Sequence, residues 1–419
     1  MRFKRSTYLL CVSVLTASLL AAGYASDGVS GPQATLRAGE PSAWQISPGR
    51  HWTLSASGPR MYSPLVLCET SGRMWAFCAT SLGGSPAITC ARFDGTSWTP
   101  LQEVVSTQKF EVNCIAAALD VSEKPVVVWA DFSEKVGEKC IFSTRWNGPT
   151  WSPRETLDKM PSRLFPAPNA CTDRQGNVHV VYAGNLVPPE DYAIGGLLAE
   201  GITTWKCWHL IFDGRAWGKA KPTTTPGRFH IGDPKISSES DGNVYVVAEV
   251  ETFTQLARDD DYIGIQTWNG KKWTWFERLT PKGIRPSIAS AALDSQGSWH
   301  VTWWETRGAD FYARKEGRVT NPPEHMSGHG VLRSDSFGRV FHCWQQKDTI
   351  QARVWNGLQW TPAIAVSDTK YPTEPVLVPR SEDSIIIVWR ESTTIRIQEV
   401  LIRKGPESPS APRSTSQDK

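Results

Sequence analysis

Two short motifs alternate along this chain, and together they leave few folds open to it. The first runs from an acidic residue through a tight turn into an apolar strand, as in "LDSQGSWHVTWWE" from Leu293 and "CTDRQGNVHVVYAG" from Cys171. It returns as "SESDGNVYVVAEV" from Ser238, "SDSFGRVFHCWQQ" from Ser334 and "LDVSEKPVVVWAD" from Leu119, with weaker copies in "CETSGRMWAFCA" and "PRSEDSIIIVWRE", seven in all. The second is an Asn-Gly or Asp-Gly pair between aromatics: "RFDGTSW" ending at Trp98, "RWNGPTW" at Trp151, "IFDGRAW" at Trp217, "TWNGKKW" at Trp273 and "VWNGLQW" at Trp360. Such a dipeptide between aromatic runs predicts a hairpin with a type I′ turn, which needs positive φ at both central residues. Each unit then holds four short antiparallel strands, A to D, in about 35 to 65 residues, which is the signature of a propeller blade.

The predicted fold is therefore all-β, a β-propeller of seven four-stranded blades, with six as the fallback if a terminal unit is only a cap. Blades are expected near 61–105, 110–158, 165–224, 229–280, 285–320, 325–367 and 371–403. Strand A begins near a proline in several units (Pro64, Pro166, Pro234, Pro286 and Pro375), a residue that costs no ladder bond at a strand start. The fifth unit has lost its Asn-Gly motif and keeps only "RKEGRV". The seventh supplies three strands, and "AWQISPGRHWTLSAS", Ala43 to Ser57, is expected to add the fourth and close the ring, hiding edges that a linear array leaves open.

A chain of 419 residues with 40% hydrophobic and 21% charged residues and a formal net charge of +3 can bury a large core, and nothing in that balance points to nucleic acid. Residues 1–25 read as a secretory signal: basic Arg2, Lys4 and Arg5, an apolar run from Tyr8 to Ala22, and small residues before a cleavage point after Ala25. The expected product is extracytoplasmic, periplasmic or secreted, with no membrane span after signal removal. Residues 26–42 form a flexible segment, 43–404 a single propeller domain, and the polar, proline-rich 405–419 a disordered tail. Eight cysteines remain after Cys11 is removed; Cys78 and Cys90 flank one hairpin and are the pair expected first, against the alternative of reduced, buried thiols.

Most of the repeat is scaffold. Aligning the copies on their turn glycines puts Trp75, His179, Tyr245, His300 and Phe341 at one position, where alternation of histidine with plain aromatics marks a packing site. Six residues past the glycine, Cys78, Tyr182, Ala248, Trp303 and Trp344, with Trp129 and Trp389, are expected to fill the space between blades. The acidic position (Glu69, Asp120, Asp173, Glu239, Asp294, Asp335) is expected to accept N–H groups inside the turn. The B-to-C and D-to-A connections share the opposite face and vary in length, so a site is expected there. The candidates are Glu305 or Asp131 as the acid/base group, and Arg163, Arg228, His230, Asp233, Arg285, Trp304, Arg307, Arg390 and Glu391 as ligand contacts, with His325 on the same face. Converging arginines suit a carboxylate, which the guanidinium fork grips in bidentate fashion. No cofactor and no metal site is expected: "RDDD", Arg258 to Asp261, has oxygens for calcium but lacks a loop glycine or a matching acidic residue at fixed spacing.

On these repeats, over about residues 61–403, the chain resembles the sialidase-like β-propellers, also called BNR or Asp-box repeat proteins. It departs from them in that "FDGTSW" and "WNGPTW" lack the spacer of the Ser-x-Asp-x-Gly-x-x-Trp box. The resemblance implies an arginine clamp, a tyrosine nucleophile paired with glutamate, and an aspartate acid/base. Arg163, Arg228, Arg285 and Arg390, with Tyr192 and Tyr262, are of the right type, without a motif that maps them singly. Similar propellers with W-N-G-x-x-W hairpins also serve as lectins. Two functions follow as expectations: a propeller that binds a glycan or an envelope or extracellular protein through its loop-rich face without turnover, or a sialidase-like glycoside hydrolase or lyase acting on an anionic sugar. Oligomeric state is left open.

Overall fold

The computed structural model describes residues 44–55, 61–82, 85–107, 115–133, 138–160, 167–185, 205–223, 229–252, 261–284, 286–305, 309–316, 319–320, 324–326, 330–367 and 372–404. The readings of a signal, a flexible segment and a tail lie outside these residues. Strands form seven antiparallel sheets, a seven-blade propeller, with no helix among the described residues. Blade 1 starts at Met61–Cys68, blade 2 at Ile115–Leu119, blade 3 at Asn169–Thr172, blade 4 at Phe229–Ser238, blade 5 at Pro286–Leu293, blade 6 at Gly330–Ser334 and blade 7 at Thr373–Ser381. These A strands line the axis and touch one another at six of the seven seams, while at the seam of blades 4 and 5 strand A of blade 5 packs on strands B and C of blade 4; B, C and D follow outward in each blade.

Closure is as the repeats imply. Trp44–Ser55 pairs antiparallel with Thr394–Lys404, from Trp44 opposite Lys404 to Ser55 opposite Thr394, and becomes strand D of blade 7. Blade 5 differs from expectation at its outer edge. Two short pieces, Val319–Thr320 and Glu324–Met326, both pair with Ala309–Glu316, so the stretch read as the start of blade 6 completes blade 5. Without the Asn-Gly hairpin, strand D is split in two.

The recurring Asp/Asn-Gly turns are not type I′. Their glycines alone take positive φ, 106° at Gly95 and 111° at Gly148, while Asp94 and Asn147 do not. The Asp94 carboxylate instead accepts the N–H groups of Thr96 and Ser97 at 2.8 and 2.9 Å, and Asn147 accepts that of Thr150. The motif selects an acceptor followed by a glycine. The flanking aromatics then bridge across the hairpin, as Trp146 with Trp151 and Trp268 with Trp273.

The prolines also sit differently. Pro286 does start its strand and Pro166 lies outside the described residues, but Pro64, Pro234 and Pro375 fall within strand A, where the register with strand B shifts. A β-bulge there leaves the proline nitrogen outside the ladder. Ser63 and Asp233, just before two of these prolines, take φ of 51° and 39°, conformations that cost a non-glycine residue on the order of 1 kcal/mol or more.

The aromatic filler positions behave as read: Trp129 and Trp303 are 1% exposed, and Tyr182, Trp344 and Trp389 are buried. Cys78 and Cys90 are not bridged. Cys78 lies opposite Thr89 and Cys90 opposite Phe77, so the two thiols point to opposite faces of the sheet and pack in different clusters. Cys68, Cys171, Cys207 and Cys343 likewise form no disulfide. Burial pushes the Cys78 thiol up to about 11 and that of Cys343 to about 12.

Candidate functional site

In the A-to-B turns of blades 3 and 5 the acidic residue does two jobs. Asp173 Oδ1 accepts the N–H of Gln175 and of Asn177, and Asp294 Oδ1 those of Gln296 and Ser298, as the turn reading expects. The second oxygen takes the ring at the aligned aromatic position: Asp173 with His179 Nε2 at 3.0 Å, Asp294 with His300 Nε2 at 3.3 Å, and Glu69 with the Trp75 indole at 2.8 Å. His179 and His300 are thus structural, 1% and 0% exposed, and burial holds both below the ordinary imidazole range. Glu239 departs from the pattern: it reaches past its own turn to the Leu293 N–H and the Ser334 hydroxyl, tying blades 4, 5 and 6, and burial raises its pKa.

The axis is not closed by this packing. A cavity of about 380 Å3 collects wall residues from all seven blades, among them Leu65, Ile115, Asn169, Lys235, Ser290, Arg333 and Val376. Among the described residues its charged lining is cationic, Lys235 and Arg333. Lys235 stands two residues past the strained Asp233 and pairs with it at 2.8 Å. Arg333 is half-buried; among the described residues it makes no ion pair, and its Nη1 donates to the Leu332 carbonyl at 3.3 Å. Its charge lowers the pKa of Cys171, Glu239 and Cys343, against the larger upward effect of burial, so its field reaches blades 3, 4 and 6.

The described sequence candidates are spread over blades 2, 4, 5 and 7. Asp131 is completely buried, on the face of Pro125–Ser133 that carries Val127 and Trp129 against blade 1. Trp304 and Glu305 end strand B of blade 5 half-exposed, opposite Ser287 and Pro286, three blades from Asp131. Arg390 closes the seam between blades 7 and 1: Nη1 donates to the Met61 carbonyl at 3.2 Å, and the guanidinium lies 5.3 Å from the Tyr62 ring. Glu391 is paired with Arg396 at 2.7 Å. His230 sits on strand A of blade 4 opposite Glu251, and the backbone of His325 on the split strand of blade 5. Arg163, Arg228, Arg285 and Arg307, and Arg258 to Asp260 of the "RDDD" run, lie outside the described residues; Asp261 is buried.

Lys235 and Arg333 were not among the candidates. The signal was present: in "GDPKISS" and "GVLRSDS" a cation interrupts the innermost strand, whose inner edge faces the axis. The two B-to-C connections of blades 6 and 7 are two-residue turns around Lys347 and Ser392, both at positive φ, whereas blades 3 and 4 carry 186–204 and 253–260 there. The rim is therefore built unevenly.

No family model matches the chain, and no curated protein matches it in sequence. Solved structures do match its fold. A polysaccharide lyase described as a PL25 ulvan lyase is 10% identical, with 83% of this chain and 95% of that one covered and a TM-score of 0.58. The polysaccharide lyase Uly1 is 10% identical, with 88% and 94% covered and a TM-score of 0.55. An intramolecular trans-sialidase from Ruminococcus gnavus is 9% identical, with 83% and 96% covered and a TM-score of 0.45. At these identities the likeness to the two lyases shows a shared fold and leaves activity to be argued from the site.

Proposed function

We propose that this protein is an extracytoplasmic propeller that binds an anionic glycan at the axial cavity, with Arg333 and Lys235 as the contacts for carboxylate or sulfate groups. The observation that carries this reading is the Arg333 guanidinium, half-buried in the cavity wall with no carboxylate paired to it among the described residues. A partly desolvated cation favours an anionic partner more strongly than one in bulk water. The glycan class is supported by the fold match to an ulvan lyase structure bound to a GlcA(1-4)Rha3S repeat, a sugar carrying both kinds of anion.

The test is calorimetric titration of the full chain with oligosaccharides of that repeat, beside neutral oligosaccharides of equal length. Arg333→Gln is expected to lower affinity for the anionic sugars roughly 10- to 100-fold, the equivalent of one charge-assisted hydrogen bond, and to leave the neutral sugars unchanged. Equal affinity of wild type and Arg333→Gln would remove the support for the cavity.

A second reading is a lyase or glycoside hydrolase working at the same mouth, and the fold shared with polysaccharide lyases favours it. Two carboxylates about 5 to 5.5 Å apart suit a retaining hydrolase and a wider gap an inverting one, but Asp131 and Glu305 stand on blades 2 and 5 and do not form such a pair. Under this reading Glu305, half-exposed at a strand end, is the proton-transfer group. Chromogenic glycosides, including a sialoside, and ulvan oligosaccharides followed for an unsaturated uronate provide the assay. Glu305→Gln is expected to reduce turnover at least about 100-fold if this carboxylate acts as acid or base, with binding retained.

A further inference from the structure

The outer groove between blades 3 and 4 is the feature that the repeat explains least. It has a volume of about 510 Å3, against about 170 Å3 for the corresponding groove between blades 2 and 3. The smaller groove mixes signs, with Arg145 and Arg215 beside Glu155. The larger one is lined by Lys219 and Lys221 of blade 3 and Lys271 and Lys272 of blade 4, and, among the described residues, by no carboxylate. All four lysines are exposed, and none is in an ion pair among the described residues.

Behind the lysines stands an aromatic wall with a fixed hydrogen-bond order. The Trp273 indole N–H can only donate, and it donates to His209 Nδ1 at 3.1 Å. The neutral His209 then carries its proton on Nε2 and donates to His179 Nδ1 at 2.9 Å, and His179 Nε2 donates to Asp173 at 3.0 Å. The Trp268 ring leans on Trp273 at 5.4 Å and 48°. A core-anchored chain thus sets the orientation of the rings before any ligand arrives, which spares the ordering cost on binding.

We infer that this groove is a second binding site, for a sulfated or uronate-bearing oligosaccharide. The volume falls in the range of about 300–1,000 Å3 typical of small-ligand sites. Sugar rings present apolar C–H faces to the tryptophans and project their anionic groups toward lysines on both banks. Tryptophans tilted at 48° do not form the parallel platform on which successive nucleobases stack, which favours a sugar over a nucleic acid. The inference goes beyond the axial reading and stands on its own residues.

The test titrates the full chain with a size-defined heparin hexasaccharide, its desulfated counterpart that keeps the uronates, a neutral hexasaccharide, and a DNA hexamer. Three proteins are compared: wild type, the quadruple variant Lys219→Glu, Lys221→Glu, Lys271→Glu and Lys272→Glu, and Arg333→Gln. Substitution of exposed lysines leaves the core intact, and circular dichroism verifies it. The expected result is an affinity for the sulfated hexasaccharide that falls at least about tenfold in the quadruple variant and persists in Arg333→Gln. The desulfated arm tells whether sulfate or carboxylate is the anion read. Unchanged affinity in the quadruple variant, or loss confined to Arg333→Gln, overturns the groove; DNA binding as tight as the sulfated sugar overturns the assignment to sugar.

Discussion

Between pH 7 and pH 4.5 the protein should lose about 2–3 kcal/mol of stability from one side chain, His209, and on the order of 4 kcal/mol by pH 3. Burial, and then the neighbouring His179, push the His209 pKa down from 6.5 to about 3. An unfolded chain binds a proton at this imidazole below pH 6.5 and the folded chain does not, so acid pulls toward the unfolded state. The stabilisation is complete above pH 6.5 and is lost as pH falls below it. His179, His300 and His342 are depressed in the same direction, chiefly by burial, and add to the slope. Asp173 and Asp294 have lowered pKa values because hydrogen bonds from Asn177 and from His179 or His300 outweigh burial, so their share goes at still lower pH. Glu239 works the other way, its burial-raised pKa favouring the folded state on acidification. Urea titrations at pH 7, 5.5 and 4.5 measure the slope. His209→Phe, which cannot take the proton, is expected to flatten it, and an equal slope in both proteins would show that the imidazole is not the source.

Arg339→Ala should cost about 3–5 kcal/mol, the range found when one partner of a buried pair is removed. Arg339 is 7% exposed; its Nε bonds Asp335 at 2.6 Å and its Nη2 the Glu382 carbonyl at 2.6 Å, which ties the turn of blade 6 to that of blade 7. The guanidinium also lies 4.9 Å from the ring of Trp44, the first residue of the closing strand. Truncation removes the tie and leaves the Asp335 carboxylate buried without its cation. Arg339→Lys keeps the charge but not the fork, and is expected to recover only part of the loss. The urea midpoint of the two variants measures the ordering, and a cost below about 1 kcal/mol for alanine would mean that closure does not lean on this residue.

Much of the architecture was legible because each unit repeats the same punctuation. An acidic residue, a turn glycine and an alternating apolar strand mark A and B, and an aromatic pair around Asp-Gly or Asn-Gly marks C and D. What escaped was set by a one-residue parity or by a tertiary neighbour. Cys78 and Cys90 flank one hairpin, yet the register that puts Cys78 opposite Thr89 turns Cys90 to the other face. Pro64 and Pro234 read as strand starts because a bulge inside a strand has the same local signature as a strand end. Glu324–Met326 carries no sequence mark to say whether it ends one blade or begins the next.

The site was less legible than the fold. Loop residues such as Arg163 and Arg307 drew attention as charges outside the pattern, whereas Lys235 and Arg333 sit within it and are recognisable only once strand A is known to face the axis. The lysine groove joins "GKAKP" of one unit to "NGKKW" of the next. Neither stretch alone differs from an ordinary solvated hairpin, so their meeting depends on the packing of adjacent blades.

The pairing of Trp44–Ser55 with Thr394–Lys404 also dictates an order of events when the chain is made. Arg50 bonds Glu399 across a separation of 349 residues, so the seam waits until the last blade has been synthesised. Until then the nascent protein holds unpaired strand edges at both ends of a growing arc, the state most open to mispairing with other chains. Folding dominated by such distant contacts is slow, and the ring becomes a closed object in a single late step. Any chaperone that serves this protein has one long interval to cover, ending when the last strand meets the first.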